Sequence, residues 1–224
     1  MQKVVEYIMS SIKCVLFDCD GTLVDSERLC CVAIVETFAQ VGVTLRLEAV
    51  LDNFSGGKIA DVLTSAQELA GSHVSLDLLE PIYREQTQRL FEEQLRPMEG
   101  AVELLDYLEQ SNIEYCVVTN SPTEKAKKML ATVGLEQRFC NRVISAFDAN
   151  SWKPEPDLLQ YAVTIMGFLP DECLYIDDTA KGVKMGVAAG IQTIHFALSC
   201  DYQQNASTCL TSMNEVIKYI ETAE

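Results

Sequence analysis

Two carboxylates close the most apolar run near the start of the chain. In CVLFDCDGTLVDSE, Asp18 ends the run and Asp20 follows after a single residue. Charge placed at the end of a buried segment is costly unless a counter-charge or a reaction requires it. Polar residues collect in the same way after three further runs. EYCVVT ends in Thr119, with Asn120 next; CLYID ends in Asp177, with Asp178 next; and FDANSWKPEPD, after NRVIS, carries Lys153. Asp18 and Asp20 are two apart in extended backbone, so they project to one side while Cys19 points to the other. That spacing permits a division of labour in which one carboxylate attacks phosphorus and the other protonates the leaving oxygen, then activates water. Lys153 would compensate phosphoryl charge, and the Thr119 hydroxyl would donate to a phosphoryl oxygen. Carboxylates gathered this closely repel one another unless a cation joins them. Hard oxygen ligands without imidazole or thiolate select Mg²⁺, so Asp18, Asp20, Asp177 and Asp178 are the candidate metal-binding residues.

Each of these short motifs alone is an ordinary turn, helix cap or solvated loop. The argument rests on all four occurring in this order, each after its own strand.

The elements that must position them alternate. KCVLFD (13–18), EYCVVT (114–119), NRVIS (141–145), CLYID (173–177) and QTIHF (192–196) read as strands. Between them, GAVELLDYLEQS, EKAKKMLATVG, PDLLQYAVTIMG and AKGVKMGVAAG carry apolar residues at helical spacing. Alternation of this kind predicts an α/β fold, a doubly wound, Rossmann-like parallel sheet covered on both faces. In such a sheet ligands bind beyond the carboxyl ends of the strands, where the polar residues fall. One stretch breaks the pattern. From about Ser26 to Leu95 only helical segments are legible: RLCCVAIVETFAQVG, GGKIADVLTSAQELAG and LDLLEPIYREQTQRLFEEQL. The expected organisation is therefore a core of residues 1–25 and 96–224 with an all-helical insertion at 26–95, RPMEGA being the return linker and the last helix lying near Met213–Thr222.

Lys and Arg number 17 against 33 Asp and Glu, a formal charge of −16, which repels nucleic acid and anionic membranes. An anionic substrate must therefore be drawn in by a few local cations. No apolar run approaches the ~20 residues of a membrane span. MQKVVEYIMSSIK holds Lys3 and Glu6 and lacks a small-residue cleavage site, so no signal peptide is expected and the chain reads as cytoplasmic. The nine cysteines show no C-x-x-C pair, and only His73 and His195 could join them on a soft metal; reduced, buried thiols are expected. A monomer or weak homodimer is expected.

The motifs DCDGTLVDSE, VVTNSP, WKPEPD and YIDDTAKGVKMGVAAG resemble the four motifs of the haloacid dehalogenase superfamily of aspartate-nucleophile phosphatases, over nearly the whole chain. The resemblance implies that core with a small helical cap closing over the site. It implies Asp18 as nucleophile and Asp20 as general acid/base, whose backbone carbonyl also binds metal. Thr119 becomes the phosphate-binding hydroxyl with Asn120 beside it, and Lys153 the lysine of the third motif. Asp178 becomes the principal acidic Mg²⁺ ligand, and Asp177 a second acid that binds the metal directly or through water. FDCDGTLVDSE, the GGK of the insertion and SWKPEPD are similar to the bacterial 6-phosphogluconate phosphatase subgroup. The expected substrate is thus a small phosphorylated metabolite, a sugar phosphate or sugar acid phosphate, with Lys58 of FSGGKIADV meeting a remote anion.

Alternatives within the superfamily are weighed on single positions. β-Phosphoglucomutases have a histidine where Cys30 stands, which favours hydrolysis over isomerisation here. Dehalogenases lack an acid at the position of Asp20, and phosphonatases need a cap lysine that Lys58 does not match. Phosphoacceptor receiver domains share an acidic pair, Asp, Thr and Lys, but place the pair first and have no helical insertion.

Overall fold

The computed structural model describes residues 11–54, 56–197 and 208–222. The N-terminal stretch that bears on a signal peptide, residues 1–10, lies outside them. Six parallel strands form one sheet: β1 (Cys14–Phe17), β2 (Glu114–Thr119), β3 (Val143–Ser145), β4 (Cys173–Asp177), β5 (Gln192–Phe196) and β6 (Thr208–Leu210), in the order β3-β2-β1-β4-β5-β6. β1 is central and pairs with β2 on one side and β4 on the other. The winding reverses there, which makes the carboxyl end of β1 the topological switch point where open α/β sheets bind ligands. The strands are buried on both faces because helices cover both, as near-continuous apolar sequence demands. Along β1, Val15 and Phe17 enter one apolar cluster while Cys14 and Leu16 enter a second, the period-two alternation of a strand.

The helices after the insertion are α5 (Ala101–Gln110), α6 (Thr123–Thr132), α7 (Ala146–Ala149), α8 (Asp157–Met166), α9 (Ala180–Ala188) and α10 (Met213–Thr222). The insertion itself is α1 (Glu27–Gln40), α2 (Leu47–Leu51), α3 (Ile59–Ala70) and α4 (Leu76–Gln94), with no strand among its described residues. α1 and α4 pack on each other through Ile34, Phe38, Leu79, Tyr83 and Leu90, all buried. The two connections to the core run beside each other. Asp25 N donates to Arg96 O at 3.1 Å, Met98 N donates to Leu23 O at 2.8 Å, and Val24 bridges antiparallel to Pro97. The inserted helices thus leave and return through one hydrogen-bonded pair of segments.

Three expectations need correction. The edge strand β6 was not anticipated, because three residues, TCL, give too short a run to stand out. The loop expected to carry Lys153 after NRVIS begins instead with a helical turn: Ser145 and Asp148 form a capping box at the start of the one-turn α7. The thiols are not uniformly reduced and buried, since Cys140 is exposed and Cys209 is disulfide-bonded. No helix among the described residues is long and apolar enough to cross a membrane.

Candidate active site

Asp18 follows β1 directly, its amide still bonded in the sheet to Ile176 O at 2.9 Å. The loop after β3 delivers Lys153 to it. Lys153 Nζ lies 2.7 Å from Asp18 Oδ1 and 2.7 Å from Asp177 Oδ2, with all three side chains buried. The loop is pinned where it enters: the Lys153 amide donates to Asn120 Oδ1 at 2.9 Å, tying it to the loop after β2. Asn120, itself exposed, therefore braces the lysine's backbone. Thr119 is buried, and its Oγ1 accepts from Ser121 N at 3.0 Å; among the described residues its own proton has no acceptor.

Asp177 uses every lone pair a carboxylate offers. Its Oδ1 accepts from the Thr179 amide at 2.7 Å and the Thr179 hydroxyl at 2.6 Å. Its Oδ2 accepts from Lys153 and from the Tyr175 hydroxyl. Such saturation is what makes a fully buried carboxylate tolerable. Asp178 is less confined. Its Oδ1 accepts from Thr22 Oγ1 at 2.8 Å, and its backbone carbonyl is 3.0 Å from His195 Nε2. Asp20 is held from both sides, with Oδ1 accepting from Ser26 Oγ at 3.2 Å and Oδ2 from Ser121 Oγ at 3.3 Å.

Two glycines make this density possible. A Cβ on Gly182 would stand 1.8 Å from Asp177 Oδ2, and one on Gly21 would stand 2.3 Å from Asp178 Oδ2. Gly21 also has φ +82°, a conformation L-residues avoid.

Electrostatics follow from burial. Desolvation pushes the Asp18 carboxyl up to about 7, with Asp177 adding to the rise and Lys153 opposing it. Desolvation, Asp18 and Asp177 together hold Asp178 well above the usual carboxylate range. Burial works against the Lys153 ammonium, but Asp177 and Asp18 outweigh it and keep the lysine charged. Three acids with so few positive partners could hold a cation. Asp18, Asp177 and Asp178 each bring a carboxylate oxygen within 4.8 Å of the others, and the donors are all hard oxygens.

The structure thus gathers Asp18, Lys153, Asp177 and Asp178, with Thr119 at the end of β2 and Asp20 and Asn120 on the adjoining loops. It does not join Lys58 to them. Lys58 is the exposed residue preceding α3; its carbonyl accepts from Val62 N at 3.0 Å, and its side chain has no ion pair or hydrogen bond among the described residues. Sequence reasoning missed the supporting partners Thr22, Ser26, Ser121, Tyr175, Thr179 and His195. Only Thr179 gave a signal, as a helix-capping residue directly after the acidic pair; its Oγ1 accepts from Gly182 N at 3.0 Å.

A doubly wound sheet thus holds a buried aspartate–lysine pair, flanked by further acids, at its switch point, where open α/β sheets bind ligands. The chain matches the haloacid dehalogenase-like hydrolase family over residues 15–196. It is 34% identical to the 6-phosphogluconate phosphatase of Escherichia coli K12 over 188 residues, 84% of each chain. It is 31% identical to hexitol phosphatase A of the same organism over 182 residues, 80% of each chain. Its fold is like that of a hydrolase from Deinococcus radiodurans R1 solved with bound phosphate and sodium, with TM-score 0.80 and 24% identity over 95% of this chain and 96% of that one. The protein belongs to the haloacid dehalogenase-like hydrolases, and it is an enzyme of their phosphatase type.

Proposed function

We propose that the protein is a Mg²⁺-dependent phosphomonoesterase that hydrolyses a small phosphorylated sugar or sugar acid through an aspartyl-phosphate intermediate. The observation that carries this reading is the Lys153 ammonium 2.7 Å from Asp18 Oδ1. A nucleophilic carboxylate must stay an anion while a dianionic phosphoryl group approaches. A buried ammonium fixed beside it, and anchored on Asp177, supplies that charge without reorganising. Asp18 attacks phosphorus, and the bond to the leaving oxygen breaks as Asp20 delivers its proton. Asp20 then takes a proton from the water that opens the acyl phosphate, which frees inorganic phosphate and returns Asp18. Thr119 donates its free hydroxyl proton to a phosphoryl oxygen, with Asn120 beside it.

Mg²⁺ would be held by Asp18, Asp178 and the backbone carbonyl of Asp20, and it would neutralise the acids and polarise the phosphoryl oxygens. Asp177, with its lone pairs engaged, fits the role of holding Lys153, and would reach the metal directly or through water only by giving up one of those bonds. The insertion, taken as residues 26–95, serves as a cap closing over small substrates. Lys58 enters as a cap-side contact for a remote anion. The site is assembled within one chain, in keeping with a monomer or weak homodimer, and the −16 charge speaks against nucleic acid as a substrate. The substrate class rests on similarity to phosphatases named for 6-phosphogluconate and hexitol phosphates. Phosphate release across a set of sugar phosphates and sugar acid phosphates, with Mg²⁺, tests it; turnover of none of them overturns it.

A further inference from the structure

A second lysine stands at the site, on the side where the leaving group must depart. Lys125, in the first turn of α6, places Nζ 4.0 Å from Asp20 Oδ1 and 3.4 Å from Ser121 Oγ. Among the described residues, ion pairs to the site's acids come from Lys153 and Lys125 alone. The two differ in kind. Lys153 is buried and bonded to two carboxylates, so it is committed. Lys125 keeps 53% of its side chain exposed and meets Asp20 only at the limit of an ion pair. Exposed pairs of that sort are weak, so the ammonium can leave Asp20 for a better anion.

Its location decides which anion. Under the hydrolase reading above, on which this inference rests, Asp20 protonates the leaving oxygen, so the leaving group lies against Asp20 and within reach of a lysine stem anchored beside it. The insertion starts beside the same acid: Ser26, the residue before α1, donates to Asp20 Oδ1 at 3.2 Å, and α6 meets the insertion where Lys128 pairs with Glu92 of α4 at 3.5 Å. In a chain of net charge −16, with four acids at the site, a second anionic group on the substrate needs a local cation.

We propose that Lys125 recognises an anionic group, such as a carboxylate, on the leaving half of the substrate, and so sets a preference for acidic over neutral sugar phosphates. The test measures kcat/KM for 6-phosphogluconate and glucose 6-phosphate, read as inorganic phosphate, in the wild type, Lys125→Ala and Lys125→Arg. The wild type should prefer the acid. Lys125→Ala should lower kcat/KM for the acid about 10- to 150-fold more than for the neutral ester, the range of one charge-assisted contact. Lys125→Arg, which keeps the charge, should retain most of the preference. Equal losses on both substrates, or a wild type indifferent to the carboxylate, would overturn the assignment of Lys125 and leave the phosphatase standing. A wild type that releases no phosphate from either ester or from p-nitrophenyl phosphate would instead overturn the hydrolase reading beneath it.

Discussion

Lys153 Nζ sits 2.7 Å from Asp18 Oδ1, and only 5% of the lysine side chain and 8% of the aspartate's are exposed. The pair is worth more broken than intact, in the sense that removing one partner strands the other charge. Loss of one member of a buried ion pair costs about 3–5 kcal/mol. At roughly 2–4 °C per kcal/mol for a chain of this size, Lys153→Met should lower the melting temperature by about 6–20 °C at neutral pH, as well as abolish turnover. The thermal loss should shrink at pH 5, where a protonated Asp18 no longer needs the ammonium. Melting followed by circular dichroism at the two pH values checks this.

The pH dependence of the wild type has a defined sign. Burial pushes the Asp18 carboxyl up to about 7 in the folded state, against an ordinary value of about 3.9. Between those values the folded state holds a proton that the unfolded chain has released, so stability falls as pH rises from about 4 to about 7. Asp178, also raised, acts in the same direction. In chelator the protein should melt higher at pH 5.5 than at 7.5, and Asp18→Asn should flatten that difference. A wild type that is more stable at the higher pH would contradict the placement of these acids.

Divalent metal should reverse the penalty. Mg²⁺ added at pH 7.5 should raise the melting temperature and restore the turnover that chelation removes. Ca²⁺, with its larger and looser shell, should bind yet inhibit. Full activity in excess chelator would remove the metal from the account.

Gly182 lies inside α9, where its backbone would suit any residue, so its role is spatial. A methyl group there would stand 1.8 Å from Asp177 Oδ2, and Asp177 is held by Lys153, Tyr175 and Thr179 and cannot retreat cheaply. Gly182→Ala should cost about 1–3 kcal/mol of stability and lower kcat by displacing the anchor of Lys153. Urea unfolding together with steady-state kinetics measures both; a fully active, fully stable variant would mean that the contact relaxes freely.

The strands and helices that position the site were legible because each announces itself within one short window. Apolar runs such as KCVLFD and CLYID, and helical periodicities such as that of α3, are local signals. Asp18, Asp20, Thr119, Lys153, Asp177 and Asp178 were legible because the carboxyl ends of parallel strands share one edge, so the polar residues ending those runs must lie near one another. The partners that tune them were not legible. Tyr175 looks like a strand residue, Thr22 like a turn residue and Lys125 like one of several surface lysines on α6. Which acid each one meets depends on strand pairing and side-chain direction, neither of which is written at their own positions. β6 escaped for a related reason: a three-residue edge strand is defined by the strand it joins, here β5.

The central claim is that Asp18 carries the phosphoryl group. Acid quenching during turnover of a ³²P-labelled sugar phosphate, followed by peptide mapping, tests it most directly. The label should lie on the peptide containing Asp18, should be released by hydroxylamine as an acyl phosphate is, and should be absent from Asp18→Asn, whose rate should fall on the order of 10⁴-fold or more. Label on a different residue, or an Asp18→Asn enzyme that keeps a tenth of the wild-type rate, would contradict the account.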